Sequence, residues 1–255
     1  MSSFLLVGPF GSGKTTALAS AAKVGPVAVI DFDYKLHKME NIRHLLRTPE
    51  NPTGNLIQIP INTPLSTIGL ARLATTKTEQ GGKEDSARPS GYLTFVDTVE
   101  KIEKDKYKWN GVPLFGLGLD SYTSMQEHIK RLLLSANSKM TMTLPLYGTL
   151  LTNLEEVNNT FVRMPIHTFI LAHEKMDKDE LTGRISCGIL VEGSMANKIG
   201  KDFDEIYYLT KTISGLGASA KAEYKMMTVG DSMRSARTSR KLEALIDPDF
   251  SKILN

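Results

Sequence analysis

Continuous apolar runs along this chain alternate with stretches in which apolar residues recur at helical spacing. The runs predict buried strands at 4–7, 27–31, 114–120, 166–172 and 205–209. The stretches with helical spacing predict helices at 15–24, 96–107, 121–134 and 147–163. Fully apolar strands separated by helices are typical of a mainly parallel sheet that is flanked by helices. The pattern therefore predicts an α/β fold.

The part of the chain after residue 172 departs from this alternation. Residues 175–188 form a polar excursion that we expect to turn at Thr182-Gly183. Residues 213–219 are rich in glycine and serine, which favours a hairpin turn before a further strand at 223–228. We therefore expect late antiparallel strands beside the parallel sheet.

The segment from about residue 48 to 109 interrupts the pattern of strands and helices. It contains several prolines, an edge-strand candidate at 57–61, and a polar, turn-rich stretch at 77–90 that we predict to be a mobile loop. No internal repeat and no low-complexity tract divides the sequence. We therefore predict one domain over 1–255, with 48–109 as an insertion within it.

The composition is that of an ordinary globular protein. Of 255 residues, 41% are hydrophobic, which permits a sizeable core, and 23% are charged with both signs mixed, which argues against disorder throughout. The net charge of +3 permits a nucleic-acid partner without requiring one. The single cysteine, Cys187, excludes an internal disulfide, and no apolar run is long enough for a membrane helix. We therefore expect a soluble, cytoplasmic protein without a membrane partner.

A phosphate-binding motif follows the first predicted strand. The pattern G-x-x-x-x-G-K-[ST] is matched by Gly8-Pro9-Phe10-Gly11-Ser12-Gly13-Lys14-Thr15, and Thr16 comes next. Such a loop wraps around phosphates, so its backbone N–H groups must point inward, and glycine allows the dihedral angles and the close approach this requires. A chance glycine-rich turn is the alternative, but an apolar strand precedes the loop and an alanine-rich helix follows it.

The motif assigns chemistry to individual side chains. Lys14 would neutralise phosphate charge, and the hydroxyl group of Thr15 would bind Mg²⁺. The free N–H groups at the start of the following helix favour anions. We therefore predict that residues 8–16 bind a nucleoside triphosphate, with ATP and Mg²⁺ as the cofactors.

Carboxylates at the ends of two other predicted strands should face this loop. Asp120 ends a buried strand, so we predict that it holds Mg²⁺ through the water shell of the metal; capping of the next helix, together with Ser121, is the alternative. Asp31 and Asp33 end the second strand and would share a face while the strand lasts. Asp33 lies further out and is the better candidate for orienting or deprotonating the attacking water, while a solvated turn acid fits it equally well.

His173 and Glu174 end the third strong strand, again at the carboxyl edge of the predicted sheet. A polar residue at this place can sense the γ-phosphate and pass that signal to the next loop. A structural histidine is the alternative. The predicted catalytic set is therefore Lys14, Asp33, Asp120 and His173.

The chain resembles the RecA-type recombinase fold, and more closely the small phage-encoded RecA-like ATPases that act as single-strand annealing proteins. The resemblance spans most of the chain. It is carried by residues 8–16, Ile30-Asp31-Phe32-Asp33, Leu119-Asp120-Ser121, Phe169-Ile170-Leu171-Ala172-His173-Glu174 and Lys201-Asp202-Phe203-Asp204-Glu205. It implies a RecA-like P-loop NTPase that hydrolyses ATP, binds single-stranded DNA and self-associates into a ring or filament, in the host cytoplasm if the chain is phage-encoded.

The resemblance also implies roles for single positions. In the family pattern the second strand ends Ile-Asp-x-Glu, and the glutamate activates water. Here Asp33 stands at that place and is one carbon shorter, which puts the hydrolysis rate in question. His173 stands where the family has a γ-phosphate sensor, often glutamine. The connections after the helix that follows Asp120 and after His173 would correspond to the DNA-facing loops.

Basic residues cluster late in the chain. Residues 221–241 contain six basic and two acidic side chains. Arg234, Arg237 and Arg240 are spaced by three, so they would share one face if this stretch were helical. They could bind the phosphates of single-stranded DNA, or one of them could reach the γ-phosphate held by a neighbouring subunit. A solvated basic face is the third possibility.

Three functions are open on the sequence. The first is an ATP-dependent, single-stranded-DNA-binding protein for phage-type recombination or annealing. The second is a motor, packaging or remodelling ATPase, since the same fold core serves those tasks. The third is a nucleotide-gated binding module with negligible turnover, which Asp33 in place of glutamate motivates.

Overall fold

The computed structural model describes all residues except 62–90, 179, 181, 182, 184, 194, 216–219 and 255. The predicted loop at 77–90 lies outside the described residues, as do Thr182 and most of the predicted turn at 213–219. Among the helices that are described, none is long and apolar enough to cross a membrane.

The described strands form one large sheet and one small hairpin. In chain order they are β1 (Ser3–Gly8), β2 (Val27–Asp31), β3 (Leu56–Pro60), β4 (Lys108–Trp109), β5 (Val112–Pro113), β6 (Gly116–Asp120), β7 (His167–Lys178), β8 (Ile185–Ile189), β9 (Glu205–Ser214), β10 (Lys221–Met227) and β11 (Leu245–Ile246). The described α-helices are α1 (Lys14–Ser20), α2 (Gly91–Lys104), α3 (Tyr122–Ala136), α4 (Leu144–Arg163) and α5 (Met195–Lys198).

The large sheet has the order β11-β10-β9-β1-β7-β6-β2-β3, and β8 pairs with the outer half of β7. The six adjacent strands β9, β1, β7, β6, β2 and β3 are parallel to one another. β10 and β11 run antiparallel to their neighbours. β4 and β5 form the separate hairpin. This topology confirms the predicted α/β fold, with a mainly parallel central sheet, flanking helices and late antiparallel strands.

Alternation of side chains along the central strands divides the core into two layers. Leu5 and Val7 of β1 belong to the layer under α2, α3 and α4. Phe4 and Leu6 point the other way and belong to the layer under α1, where Phe250 from the end of the chain also packs. Within the region 48–109, β3 extends the edge of the sheet and α2 packs on the first layer.

Two strands run further than the apolar runs that predict them. The pattern predicts an end at 172, yet β7 continues to Lys178 because its polar outer half pairs with β8. β9 likewise passes the predicted end at 209 and continues to Ser214 alongside β10. Hydrophobic patterning marks only the buried part of a strand, whereas pairing within a hairpin satisfies the backbone of the exposed part. The predicted excursion after His173 is therefore a hairpin.

Both of these hairpins extend past the end of β1. His173 of β7 is the register partner of Gly8, the last residue of β1, so the rest of β7 continues beyond it. On the other side of β1, Tyr208 of β9 is the partner of Val7, and the rest of β9 continues in the same direction. We call the β7–β8 and β9–β10 pairs the flanking hairpins, since they lie on either side of the loop that leaves β1.

Close backbone approaches fix two glycines. An added Cβ at Gly118 would lie 2.5 Å from Leu18 Cδ1, so β6 packs directly on α1. An added Cβ at Gly8 would overlap the carbonyl oxygen of Leu209 in β9 and lie 2.8 Å from Ser12 Oγ. The contact at Gly8 holds the start of the phosphate loop against β9.

We predict that Gly8→Ala lowers the free energy of unfolding by about 1–3 kcal/mol, because the added methyl group forces β1 and β9 apart where only backbone can yield. Urea unfolding measures the change. Gly148→Ala is the control, since Gly148 lies in α4 with open space around its Cβ position. That change should instead raise the free energy of unfolding by about 0.5–1 kcal/mol. Equal effects in the two variants would contradict the close approach at Gly8.

Candidate functional site

The loop between β1 and α1 has the backbone of a phosphate cradle. Gly11 and Gly13 have φ values of 72° and 89°, a region that favours glycine, so the chain can curl back on itself. The N–H of Ser12 donates to the carbonyl of Pro9 at 3.3 Å and closes the turn. Ser12 Oγ is buried and has no hydrogen-bond partner among the described residues. Because buried polar atoms need a partner, an oxygen-rich ligand in this loop fits the structure.

Lys14 stands at the start of α1 and reaches back over the loop. Its ammonium group donates to the carbonyl oxygens of Gly8 at 2.8 Å and Pro9 at 2.9 Å. Burial, and then the nearby positive charge of Lys35, lower the pKa of Lys14 to about 8. A phosphate group would supply the negative charge that this buried ammonium lacks.

Thr15 and Asp120 meet at the carboxyl ends of the parallel strands. Thr15 Oγ1 donates to Asp120 Oδ2 at 2.7 Å, and the carboxyl group of Asp120 is only 1% exposed. Burial raises the pKa of Asp120, although Lys35 and the hydroxyl of Thr15 act in the opposite direction. The helix-capping alternative belongs to the next residue, because Ser121 is the N-cap of α3 and its hydroxyl accepts from the N–H of Ser124 at 3.3 Å.

These oxygen atoms fit a magnesium ion that is shared with phosphates. Mg²⁺ prefers oxygen ligands and is commonly held by one or two protein groups together with phosphate oxygens and water. The hydroxyl of Thr15 and the carboxylate of Asp120 supply such a pair. Among the described residues, no group of three or more histidine, cysteine or acidic side chains could hold a metal ion by itself.

Asp31 organises the turn that follows β2. It is fully buried, and its carboxylate accepts hydrogen bonds at 2.8–3.1 Å from the backbone N–H groups of Asp33, Lys35 and Leu36 and from Gln58 Nε2. Tyr34, with a φ of 51°, gives this turn its sharp reversal. Asp31 therefore fixes the position of the two side chains that follow it.

Asp33 lies beside the start of α3. Its carboxylate accepts from Lys35 Nζ at 2.6 Å and from the hydroxyl of Ser124. Burial works to raise the pKa of Asp33, but these hydrogen bonds and the charge of Lys35 outweigh it and hold the pKa below its usual value. Asp33 is therefore a charged and partnered acid, and its role toward water stays a prediction.

Lys35 is the main site residue that the sequence did not indicate. Its ammonium group lies 2.6 Å from Asp33 Oδ2 and 3.2 Å from Asp120 Oδ1, so it joins the two acids. Burial alone would lower the pKa of Lys35, but the two carboxylates raise it above the usual value. The only local signal is its place two residues after Asp33.

His173 approaches the loop from the other side. It lines the same cavity as Phe10, and the centroids of the two rings are 6.3 Å apart. Burial, and then the charge of Lys14, lower the pKa of His173, so its imidazole is neutral near pH 7. The backbone N–H of His173 donates to Thr123 Oγ1 at 3.1 Å, which ties β7 to the start of α3.

These elements enclose a cavity of about 490 Å³. The predicted binding residues Phe10, Gly11, Ser12, Gly13, Lys14, Thr15 and Thr16 line it, while Gly8 and Pro9 contribute the carbonyl oxygens that hold Lys14. Its remaining walls are Lys35, Met39, Asn41, His173, Tyr224 and Pro248. The side chain of Tyr224 comes from β10 and lies against Gly13, where an added Cβ would be 3.3 Å from it. Met39, Tyr224 and Pro248 give the cavity apolar and aromatic walls, and Asn41 adds an amide. Such a lining suits a nucleobase.

The condition for a shared arginine face, a helix, is not met. Residues 228–244 contain no helix, so Arg234, Arg237 and Arg240 lack the helical spacing on which that face depended. Arg234 Nε lies 3.3 Å from Glu174 Oε1, and Arg234 lines a separate groove rather than the cavity at the phosphate loop.

The other two arginines donate to backbone carbonyl oxygens elsewhere in the fold. Arg237 donates to the backbone carbonyl of Lys201 at 2.9 Å and also to that of Phe203. Arg240 donates to the carbonyl of Ile253 at 2.9 Å. Their roles toward DNA or a neighbouring subunit stay predictions.

The fold is α/β with a mainly parallel sheet, and a glycine-rich phosphate loop joins its first strand to its first helix. Similar solved structures include the flagellar accessory protein FlaH from Methanocaldococcus jannaschii, which is 10% identical over 93% of this chain and 82% of its own, with a TM-score of 0.42. A KaiC-like protein from Pyrococcus horikoshii is 13% identical over 96% of this chain and 88% of its own, with a TM-score of 0.45.

A third similar structure is a prototypical ATPase from the type III secretion system of pathogenic bacteria, which is 13% identical over 82% of this chain, with a TM-score of 0.47. This chain spans 52% of that protein. No protein-family model matches the sequence, and no curated protein does. All three likenesses are distant, and the site is assigned from its own geometry.

We predict that nucleotide binding takes up a proton as pH rises through about 8. Lys14 is partly neutral there in the free protein because its pKa is about 8. Bound phosphates favour the charged form, so uptake should approach about one proton per nucleotide well above that pH, and affinity should fall in the same range. Calorimetry in buffers of different ionisation enthalpy measures the uptake. A proton count that did not increase between pH 7 and 9 would contradict the placement of Lys14.

Proposed function

We propose that this protein binds Mg²⁺ and ATP in the cavity between β1, α1 and β10 and hydrolyses the ATP. The observation that carries the proposal is the pairing of Thr15 Oγ1 with Asp120 Oδ2 beside the buried ammonium of Lys14. One hydroxyl, one carboxylate and one cation at the end of a glycine-rich loop are the groups that a metal–triphosphate requires. The partnerless hydroxyl of Ser12 gives further support, since a phosphate oxygen would satisfy it.

Each residue then has one task. The N–H groups of the loop and Lys14 bind the phosphates, and Tyr224, Met39 and Asn41 hold the nucleoside end. Thr15 and Asp120 hold Mg²⁺, which when bound offsets the negative charge of the reacting phosphate. Asp33 orients or deprotonates the attacking water, and in the nucleotide-free protein Lys35 keeps that acid ionised.

We predict that Lys14→Ala removes tight nucleotide binding. The phosphates would then face Asp33 and Asp120 with Lys35 as the remaining nearby cation. Asp120→Ala should keep measurable nucleotide binding and remove Mg²⁺-dependent turnover, because the metal loses its acid. Calorimetry and steady-state phosphate release measure the two effects. Asp97→Ala removes an exposed acid on α2 and should change neither. Near-normal affinity in Lys14→Ala or unchanged turnover in Asp120→Ala would refute the assignments.

We further propose that the ATPase acts on single-stranded DNA as an oligomer. The flanking hairpins support this, because exposed lysines project from both of them beyond the nucleotide cavity: Lys175, Lys178, Lys211 and Lys221. Exposed apolar side chains accompany them, among them Met176 and Ile213. Cations that follow a nucleic-acid backbone are a usual feature of single-strand binding.

We predict that the double substitution Lys178→Ala and Lys221→Ala weakens binding of single-stranded DNA and makes it less sensitive to salt. Each lost phosphate contact should reduce the slope of log affinity against log salt by about 0.7. Fluorescence anisotropy at several salt concentrations measures the slope, with mass determined in each state. Lys104→Ala, on the exposed end of α2, is the control and should leave the slope unchanged.

An unchanged slope in the double variant, or no binding by the unaltered protein at low salt, would refute the DNA proposal. Hydrolysis stimulated by duplex DNA rather than single strands would instead favour a motor or packaging ATPase. Binding of ATP with no phosphate release would favour a nucleotide-gated module.

A further inference from the structure

Two acids and one ammonium group form a closed cluster at the edge of the nucleotide cavity. Lys35 Nζ lies 2.6 Å from Asp33 Oδ2 and 3.2 Å from Asp120 Oδ1, while the other oxygen of Asp120 accepts from Thr15. The side chain of Lys35 is 31% exposed and lines the cavity together with Lys14. The ammonium of Lys35 therefore contacts Asp120, the acid that would bind the metal. It also faces the cavity in which the phosphates would lie.

The backbone around Lys35 fixes this placement. The carboxylate of Asp31 binds the N–H groups of Lys35 and of the next residue, and Gln58 of β3 holds the same carboxylate. The turn is thus anchored to β2 and β3, and only the flexible side chain of Lys35 is free to exchange partners. A four-carbon stem with three rotatable donors is suited to such an exchange.

The charges of the site set the direction of the exchange. With Lys14 and Lys35 positive and Asp33 and Asp120 negative, the cluster is balanced. A divalent cation at Asp120 would repel Lys35, and a terminal phosphate in the cavity would attract it. A diphosphate lacks the terminal phosphate, so it would not attract Lys35 in this way.

We propose that Lys35 is an internal sensor of the terminal phosphate, whose ammonium joins Asp33 to Asp120 in the nucleotide-free protein and moves to the γ-phosphate when a metal–triphosphate binds. Lys35 would then distinguish a triphosphate from a diphosphate within a single subunit. Its departure from Asp33 would also free that acid for water. The inference rests on the proposed function, since it needs a nucleotide in the same cavity.

The first test compares affinities for ADP and for a non-hydrolysable ATP analogue, each with Mg²⁺, by calorimetry. Lys35→Gln keeps the length and one donor but removes the charge. It should weaken binding of the analogue about 10- to 100-fold, the value of a charge-assisted hydrogen bond, and change ADP affinity by less than about fivefold. Lys38→Gln is the matched control, since Lys38 lies three residues further on and stacks over Tyr34.

The second test uses Mg²⁺ alone. In Lys35→Gln the two acids lose the ammonium between them, so Mg²⁺ should raise the thermal unfolding midpoint of this variant more than that of the unaltered protein. If Lys35→Gln does not fold, Lys35→Arg is used in the comparison of ADP and ATP-analogue affinities instead. It retains the charge, so it must retain the preference for the triphosphate.

The outcomes separate the two levels of the argument. If the unaltered protein bound neither nucleotide, the proposed function would fall, and this inference with it. If the unaltered protein bound both, but Lys35→Gln lost affinity for both equally or for neither, only the role of Lys35 would be overturned. Loss of the preference in Lys35→Arg, or no greater stabilisation of Lys35→Gln by Mg²⁺, would also overturn that role.

Discussion

The structure depends on balancing charges that are buried at one edge of the sheet. Asp120 and Lys14 are buried there, and Asp33 and Lys35 are partly buried. An unpaired buried charge is costly, so each of these groups must find an opposite partner or a ligand that provides one. Three of them pair with one another, whereas Lys14 rests on backbone carbonyls of its own loop. Lys14 is therefore the charge that a phosphate completes.

Register between two strands creates this concentration of charge. Asp31 of β2 is the direct partner of Asp120 of β6, so two acids end adjacent parallel strands at the same height. Their repulsion is avoided because they are satisfied in different ways. Asp31 accepts hydrogen bonds from backbone N–H groups of the turn that follows it. Asp120 accepts a hydrogen bond from Thr15 and pairs with the ammonium of Lys35. The turn that Asp31 stabilises is also the turn that delivers Lys35, so the structural acid and the site acids belong to one arrangement.

Local sequence patterns predict the parts of the fold and site that local physics decides. The phosphate loop, the buried strands and Asp120 each follow from neighbouring residues, and the α/β class follows from their order. The position of Tyr224 does not, because β10 reaches the loop only through antiparallel pairing with β9. Arg237 and Arg240 could not be placed either, since their partners lie far away along the chain. Spacing by three carries information only where a helix forms.

The nucleotide site and the flanking hairpins share two continuous strands. β7 runs from His173, at the cavity, to Lys178, and β9 runs from Leu209, against Gly8, to Ser214. Both strands are hydrogen-bonded to neighbours at their inner and their outer ends. Tyr224 touches the phosphate loop from β10 and stands opposite Lys211 in register. If nucleotide binds as proposed, a change in the loop would have two short paths to the hairpins, one along β7 and one through β9 and β10.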